Sequence, residues 1–73
     1  MLNPKYLKTF TTLVETGSFT KTAERLFMTQ PGVSQHVKKL EQSCGSELLV
    51  RLGKGIELTE QGRQVYRYAR EDE

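Results

Sequence analysis

The chain has 73 residues, among them 11 Lys+Arg, 9 Asp+Glu, one His, one Cys and no Trp. That is one small domain, too short for a Rossmann or barrel enzyme. A lone Cys and a lone His exclude an intramolecular disulfide and any Cys-based or His-pair metal site. The net charge of +2 is unevenly spread, because residues 1–40 carry six Lys/Arg against two Glu and residues 41–73 carry five against seven Asp/Glu. The basic half, where a polyanion would bind, is therefore the first. The longest apolar run, Leu48-Leu49-Val50, is far short of a membrane span or a signal-peptide core. A reduced, cytoplasmic compartment is the expectation, with no membrane association.

Asn3-Pro4 reads as an N-cap followed by Pro at the first helical position. Tyr6, Leu7, Phe10, Leu13 and Val14 recur at helical spacing up to the stop at Gly17, which predicts a first helix from Pro4 to about Thr16. Ser18 caps a short second helix with Phe19, Ala23 and Leu26 on one stripe. Phe27-Met28-Thr29 breaks it. The break has the length of a helix-turn-helix turn, but Phe27 stands where a glycine is usual and is expected to pack.

Thr29 caps a third helix, which tolerates Pro31 in its first turn and carries Val33, Val37, Leu40 and Cys44 on a regular apolar stripe up to Gly45. Leu48 to Leu52, the turn signal Gly53-Lys54-Gly55 and Ile56-Glu57-Leu58 then predict a small β-hairpin. Thr59 caps a fourth helix with Gly62, Val65, Tyr66 and Ala69 on one face. Its end, Arg70-Glu71-Asp72-Glu73, is acidic and poorly matched to the helix dipole, as if the chain stopped inside a longer helix. The predicted fold is mainly α: a winged helix-turn-helix with a three-helix core, a hairpin wing and a C-terminal linker helix. Residues 1–58 form the domain and 59–73 the start of the linker.

The outward face of the third helix carries Pro31, Gln35, Lys38 and Gln42, with Gln30 and Ser34 on one flank and Lys39 on the other. A solvated helix could look like this, but no acidic residue occurs from Gln30 to Lys39, although Glu is a favoured helix former. Amides, a hydroxyl and lysines suit a major groove better. Gln bonds bidentately to the N6/N7 edge of adenine, and Ser reaches a base edge or a phosphate. Lys38 and Lys39 suit phosphates, adding affinity and salt dependence but little sequence information. Arg51 and Lys54 flank or occupy the hairpin tip over residues 51–55, where a basic wing reaches an adjacent minor groove. A solubilising turn is the plain alternative.

Taken in order, Gly17-Ser18-Phe19-Thr20, Ala23-Glu24-Arg25-Leu26, Thr29-Gln30-Pro31-Gly32-Val33-Ser34-Gln35 and Lys39-Leu40-Glu41 form one signature. Gly45, Leu48, Arg51, Leu58-Thr59 and Gly62 continue it. Nearly the whole chain thereby resembles the N-terminal DNA-binding domain of LysR-type transcriptional regulators. The resemblance implies a sequence-specific winged helix-turn-helix that binds double-stranded DNA as a homodimer, with the recognition helix at about 30–44. It implies base-edge contacts from Gln30, Pro31, Ser34 and Gln35, and phosphate contacts from Thr20 and Lys38. It also implies wing contacts from Arg51 and Lys54, and pairing of the fourth helix with a partner's, for which Val65, Tyr66 and Ala69 offer the seam. The site is then an interrupted palindrome.

Relatives often carry Arg where this chain has Gln35, so an adenine preference replaces a guanine one. Leu49 replaces a common Phe and Glu47 a common Pro, which alters wing packing. The family's effector-binding domain is absent from the chain, which is either an excised domain or a natural truncation and has no small-molecule ligand of that kind.

Cys44 reads as a structural thiol, and His36 as a packing residue or phosphate contact without a catalytic partner. Asp72 makes no plausible triad with Ser18 or Ser34. Tyr66 and Tyr68 are dimer contacts or ordinary surface. No enzyme, metal or cofactor is expected. The alternative from another class is a winged-helix protein-interaction module, or a truncated dimerisation partner of a full-length regulator.

Overall fold

A computed structural model describes residues 2–71. Asp72 and Glu73, and with them the expected acidic helix end, lie outside the described residues. In chain order the elements are α1 (Pro4–Thr16), α2 (Phe19–Leu26), α3 (Gln30–Cys44), β1 (Leu49–Arg51), β2 (Ile56–Leu58) and α4 (Glu60–Glu71).

Side-chain caps set the helix starts. Asn3 Oδ1 accepts from the Lys5 amide at 2.8 Å, Ser18 Oγ from Lys21 at 3.2 Å, Thr29 Oγ1 from Gly32 at 3.1 Å, and Thr59 Oγ1 from Gly62 at 3.0 Å. Each satisfies an amide that a helix start leaves unpaired. α3 stops at Gly45, whose φ of 70° is left-handed backbone that a β-carbon would strain.

α1 packs against α2, α3 and α4. Phe10, Leu13, Val37, Leu40, Leu48 and Leu49 form the core cluster, and Val33 and Ala23 are buried beside it. The predicted stripes of α1 and α3 are thus the buried ones. Four threonines are buried as well: Thr9, Thr11, Thr12 and Thr22. A threonine is tolerated inside because its hydroxyl can turn back to a local carbonyl. Thr9 donates to the Lys5 carbonyl at 3.1 Å, Thr12 to Lys8 at 2.8 Å and Thr22 to Ser18 at 2.7 Å.

The hairpin is antiparallel, with Leu49 opposite Leu58, Val50 opposite Glu57 and Arg51 opposite Ile56. It is shorter than the apolar segment suggests. Leu48 lies before the strand, fully buried, with its carbonyl accepting from Thr59 N at 3.1 Å. Leu52 lies after it, and its amide closes the tip on the Gly55 carbonyl at 3.0 Å.

One expectation is corrected. Phe27 does not pack: it is 96% exposed. It closes α2 in the left-handed conformation, φ 56°, while Met28 N bonds back to the Ala23 carbonyl at 2.8 Å. That reversed backbone turns the ring away from both helices, so a bulky residue does here what glycine would do at less cost.

Candidate nucleic-acid interface

Burying Val33, Val37 and Leu40 turns the other side of α3 outward. Gln30, Pro31, Gln35, Lys38 and Lys39 are all exposed there, and the first acidic residue along the helix is Glu41. Pro31 adds no N–H in the first turn, where that group would be unpaired anyway. The result is an amide- and lysine-bearing ridge about 15 Å long, at 1.5 Å per residue over the ten residues from Gln30 to Lys39.

Thr20, on α2, is exposed and meets this ridge, its Oγ1 accepting from Gln30 Nε2 at 2.8 Å. Ser34 is half-buried, because Arg51 covers it. Arg51 Nη2 donates to Ser34 Oγ at 2.7 Å, and the guanidinium carbon stands 3.9 Å from the centroid of the Phe19 ring. It flanks the tip, paired with Ile56 in the last rung before the turn, and its side chain folds back to Ser34 of α3 and Phe19 of α2. A cation on an aromatic face and a hydroxyl acceptor together outweigh solvation of an extended arginine. Lys54 alone holds the tip, exposed between Gly53 and Gly55.

Glu41 is a positioning residue that the sequence reading did not single out. Its Oε2 accepts from Leu48 N at 2.8 Å and so ties the start of the hairpin to α3. Its half-buried place beside an apolar strand is the available signal, since a carboxylate there needs a donor. His36 sits where α3 meets α1, its Nδ1 2.9 Å from Thr9 Oγ1 and its ring centroid 4.9 Å from that of Tyr6. It packs rather than facing the groove side. Burial, then the charges of Lys5 and Lys39, hold its pKa below the ordinary histidine value. Partial burial and the neighbouring Glu41 raise the Cys44 thiol, which favours its protonated, unreactive form.

On α4, Val65 and Tyr66 pack against the chain's own core, and Ala69 is half-buried. Arg70 binds Glu15 of α1 at 2.9 Å. The stripe expected to form a dimer seam is therefore partly spent within the chain. Gln61, Gln64, Arg67 and Tyr68 face outward, and Tyr68 is 45% exposed. Among the described residues no helix is long and apolar enough to cross a membrane.

Comparison with known proteins agrees with this geometry. Residues 4–63 match the bacterial regulatory helix-turn-helix proteins of the lysR family. The chain is 43% identical over 67 residues to YxjO, an uncharacterised HTH-type transcriptional regulator of Bacillus subtilis, covering 92% of this chain and 23% of YxjO. It is 45% identical over 65 residues to the HTH-type transcriptional regulator CitR of the same organism, covering 89% of this chain and 22% of CitR. It therefore spans less than a quarter of the length of either relative. The crystal structure of a CbnR DBD–DNA complex superposes with a TM-score of 0.91 at 34% identity, covering 97% of this chain and 82% of that one.

Proposed function

Because the chain belongs to the lysR family of bacterial regulatory helix-turn-helix proteins, we propose that it regulates transcription by reading an interrupted palindromic operator as a homodimer. The domain itself is a LysR-family helix-turn-helix DNA-binding domain. The observation that carries the reading is the ridge of α3: five exposed side chains, none acidic, on a helix fixed by its buried opposite face.

In this reading α3 lies in the major groove. Gln30, Pro31, Ser34 and Gln35 meet base edges, and Gln35 selects adenine through its N6 and N7. Thr20, Lys38 and Lys39 hold phosphates on either side. Lys54 reaches the neighbouring minor groove or backbone from the wing tip, and Arg51 contributes its charge from beside the tip. Two copies pair through α4, using the exposed parts of Val65, Tyr66 and Ala69 together with Tyr68, and the operator mirrors their two-fold. The chain works in the cytoplasm, catalyses nothing and needs no metal or cofactor for this task.

The test is a fluorescence-anisotropy titration of a random duplex pool at two salt concentrations, with the bound fraction sequenced. Salt-sensitive binding that enriches a two-fold symmetric motif is expected. Absence of binding at low salt would sink the reading and leave a protein-interaction module in its place.

A further inference from the structure

We propose that Arg51 determines specificity by acting through Ser34. It occupies the serine oxygen and so sets the Ser34 hydroxyl as a donor toward the DNA. The base facing Ser34 must then offer an acceptor in the major groove, and cytosine is rejected. This rests on the reading that the ridge of α3 enters the major groove.

The direction of the bond follows from the chemistry. A guanidinium has five N–H groups and no acceptor, so in the 2.7 Å contact Ser34 Oγ accepts. Serine has one hydroxyl hydrogen and two lone pairs. With one lone pair taken by a cation, the hydrogen remains to donate outward. A second donor approaching the same oxygen would enter the field of the guanidinium at short range. Adenine N7, guanine N7 and O6, and thymine O4 are acceptors, whereas cytosine presents the N4 amino donor. Unaided, a serine hydroxyl rotates to suit either kind of edge and discriminates little.

Arg51 is held in place for this role. Its guanidinium lies 3.9 Å from the centroid of the Phe19 ring, which restricts an otherwise flexible side chain. The same polarity recurs at Thr20, whose Oγ1 accepts from Gln30 Nε2 at 2.8 Å. Its hydroxyl hydrogen is then left for a phosphate oxygen, which can only accept. Both hydroxyls on this surface are thus set as donors by a neighbour on another element.

The experiment is selection from a random duplex pool with the wild-type, R51M, S34A and doubly substituted chains, with a thermal melt of each. The wild type should show one position per half-site depleted in cytosine. R51M keeps the aliphatic length and loses the donors. It should recover cytosine there by about three- to tenfold, the range of one hydrogen bond, with the other positions unchanged. S34A should also relieve the depletion, and the double variant should go no further than S34A.

An R51M chain that weakens all sequences alike while still excluding cytosine would overturn the proposal, as that is the signature of a phosphate contact. If R51M is unfolded at the assay temperature, S34A decides: cytosine depletion that survives S34A overturns it. A wild-type chain that binds no duplex overturns the groove reading itself. That failure is distinct from one in which the wild type selects a motif and R51M changes affinity alone.

Discussion

Gly62→Ala should be among the most damaging single-methyl changes in this chain. Gly62 is the buried residue of α4, two residues after its start, and its amide donates to Thr59 Oγ1 at 3.0 Å. A β-carbon built there would overlap the Leu48 carbonyl oxygen, lying also 2.9 Å from the Leu48 carbonyl carbon and 3.2 Å from Leu58 Cδ2. Two of these three atoms are backbone and cannot rotate away.

Relief requires α4 to lift from the hairpin, which strains the Thr59 N to Leu48 O bond of 3.1 Å and the Thr59 Oγ1 to Glu47 O bond of 2.7 Å. Overpacking together with these bonds costs roughly 3 kcal/mol, against about 1 kcal/mol regained from the helix propensity of alanine. The net loss of about 2 kcal/mol corresponds to a fall in Tm of roughly 8–16 °C for a domain of this size. Thermal unfolding followed by circular dichroism measures it, with the exposed Gln64→Ala as the control. A Gly62→Ala chain that melts with or above wild type would refute the reasoning, since propensity alone would then decide the outcome.

Gln35→Ala should cost roughly 1–3 kcal/mol of binding and relax base preference at one position, so equal weakening on every sequence would remove Gln35 from the base edge. Lys38→Ala should weaken all duplexes alike and flatten the slope of log K against log salt by about one unit, read from titrations at several salt concentrations. Phe27→Gly should raise stability by about 1 kcal/mol, because a left-handed φ is relieved and no burial is lost from a side chain already in solvent; a lower urea midpoint would show that the ring has a partner within the chain. His36 is held below its ordinary value in the fold, so the unfolded chain binds the proton first as pH falls. Its contribution is therefore intact above the ordinary value and declines as pH drops from there toward the lowered one. Urea melts across that window should show wild type losing stability relative to His36→Gln.

Element order and boundaries were legible because local chemistry sets them. Asn3, Ser18, Thr29 and Thr59 each bond an amide two or three residues on, and Gly17 and Gly45 close α1 and α3 in left-handed backbone. The exposed ridge of α3 followed from the same periodicity that buries Val33, Val37 and Leu40. What was not legible depends on residues distant in sequence. Arg51 lies against Ser34 and Phe19 because its side chain reaches across from β1 to α3 and α2, which spacing along the chain does not reveal. Thr22 looks like surface until Thr16 Oγ1 is found 2.7 Å away. Val65 and Tyr66 have the apolar spacing of a seam whether they meet a second copy or, as here in part, their own core. Phe27 misled because residue volume usually predicts burial, and a reversed backbone defeats that rule.

The joint between the hairpin and α4 has a mechanical consequence. Leu48 and Thr59 are bonded backbone to backbone, Thr59 Oγ1 grips the Glu47 carbonyl, and Gly62 leaves no gap between the helix and Leu48. α4, about 18 Å long over its 12 residues, is therefore clamped to the hairpin at its base and tied to α1 near its far end, where Arg70 binds Glu15 at 2.9 Å. The clamp is made from the residue that precedes β1 and the one that follows β2. A twist of α4 is thus shared between two bodies: the wing takes it through Leu48 and Thr59 at one end of the helix, and α1 takes it through Glu15 at the other.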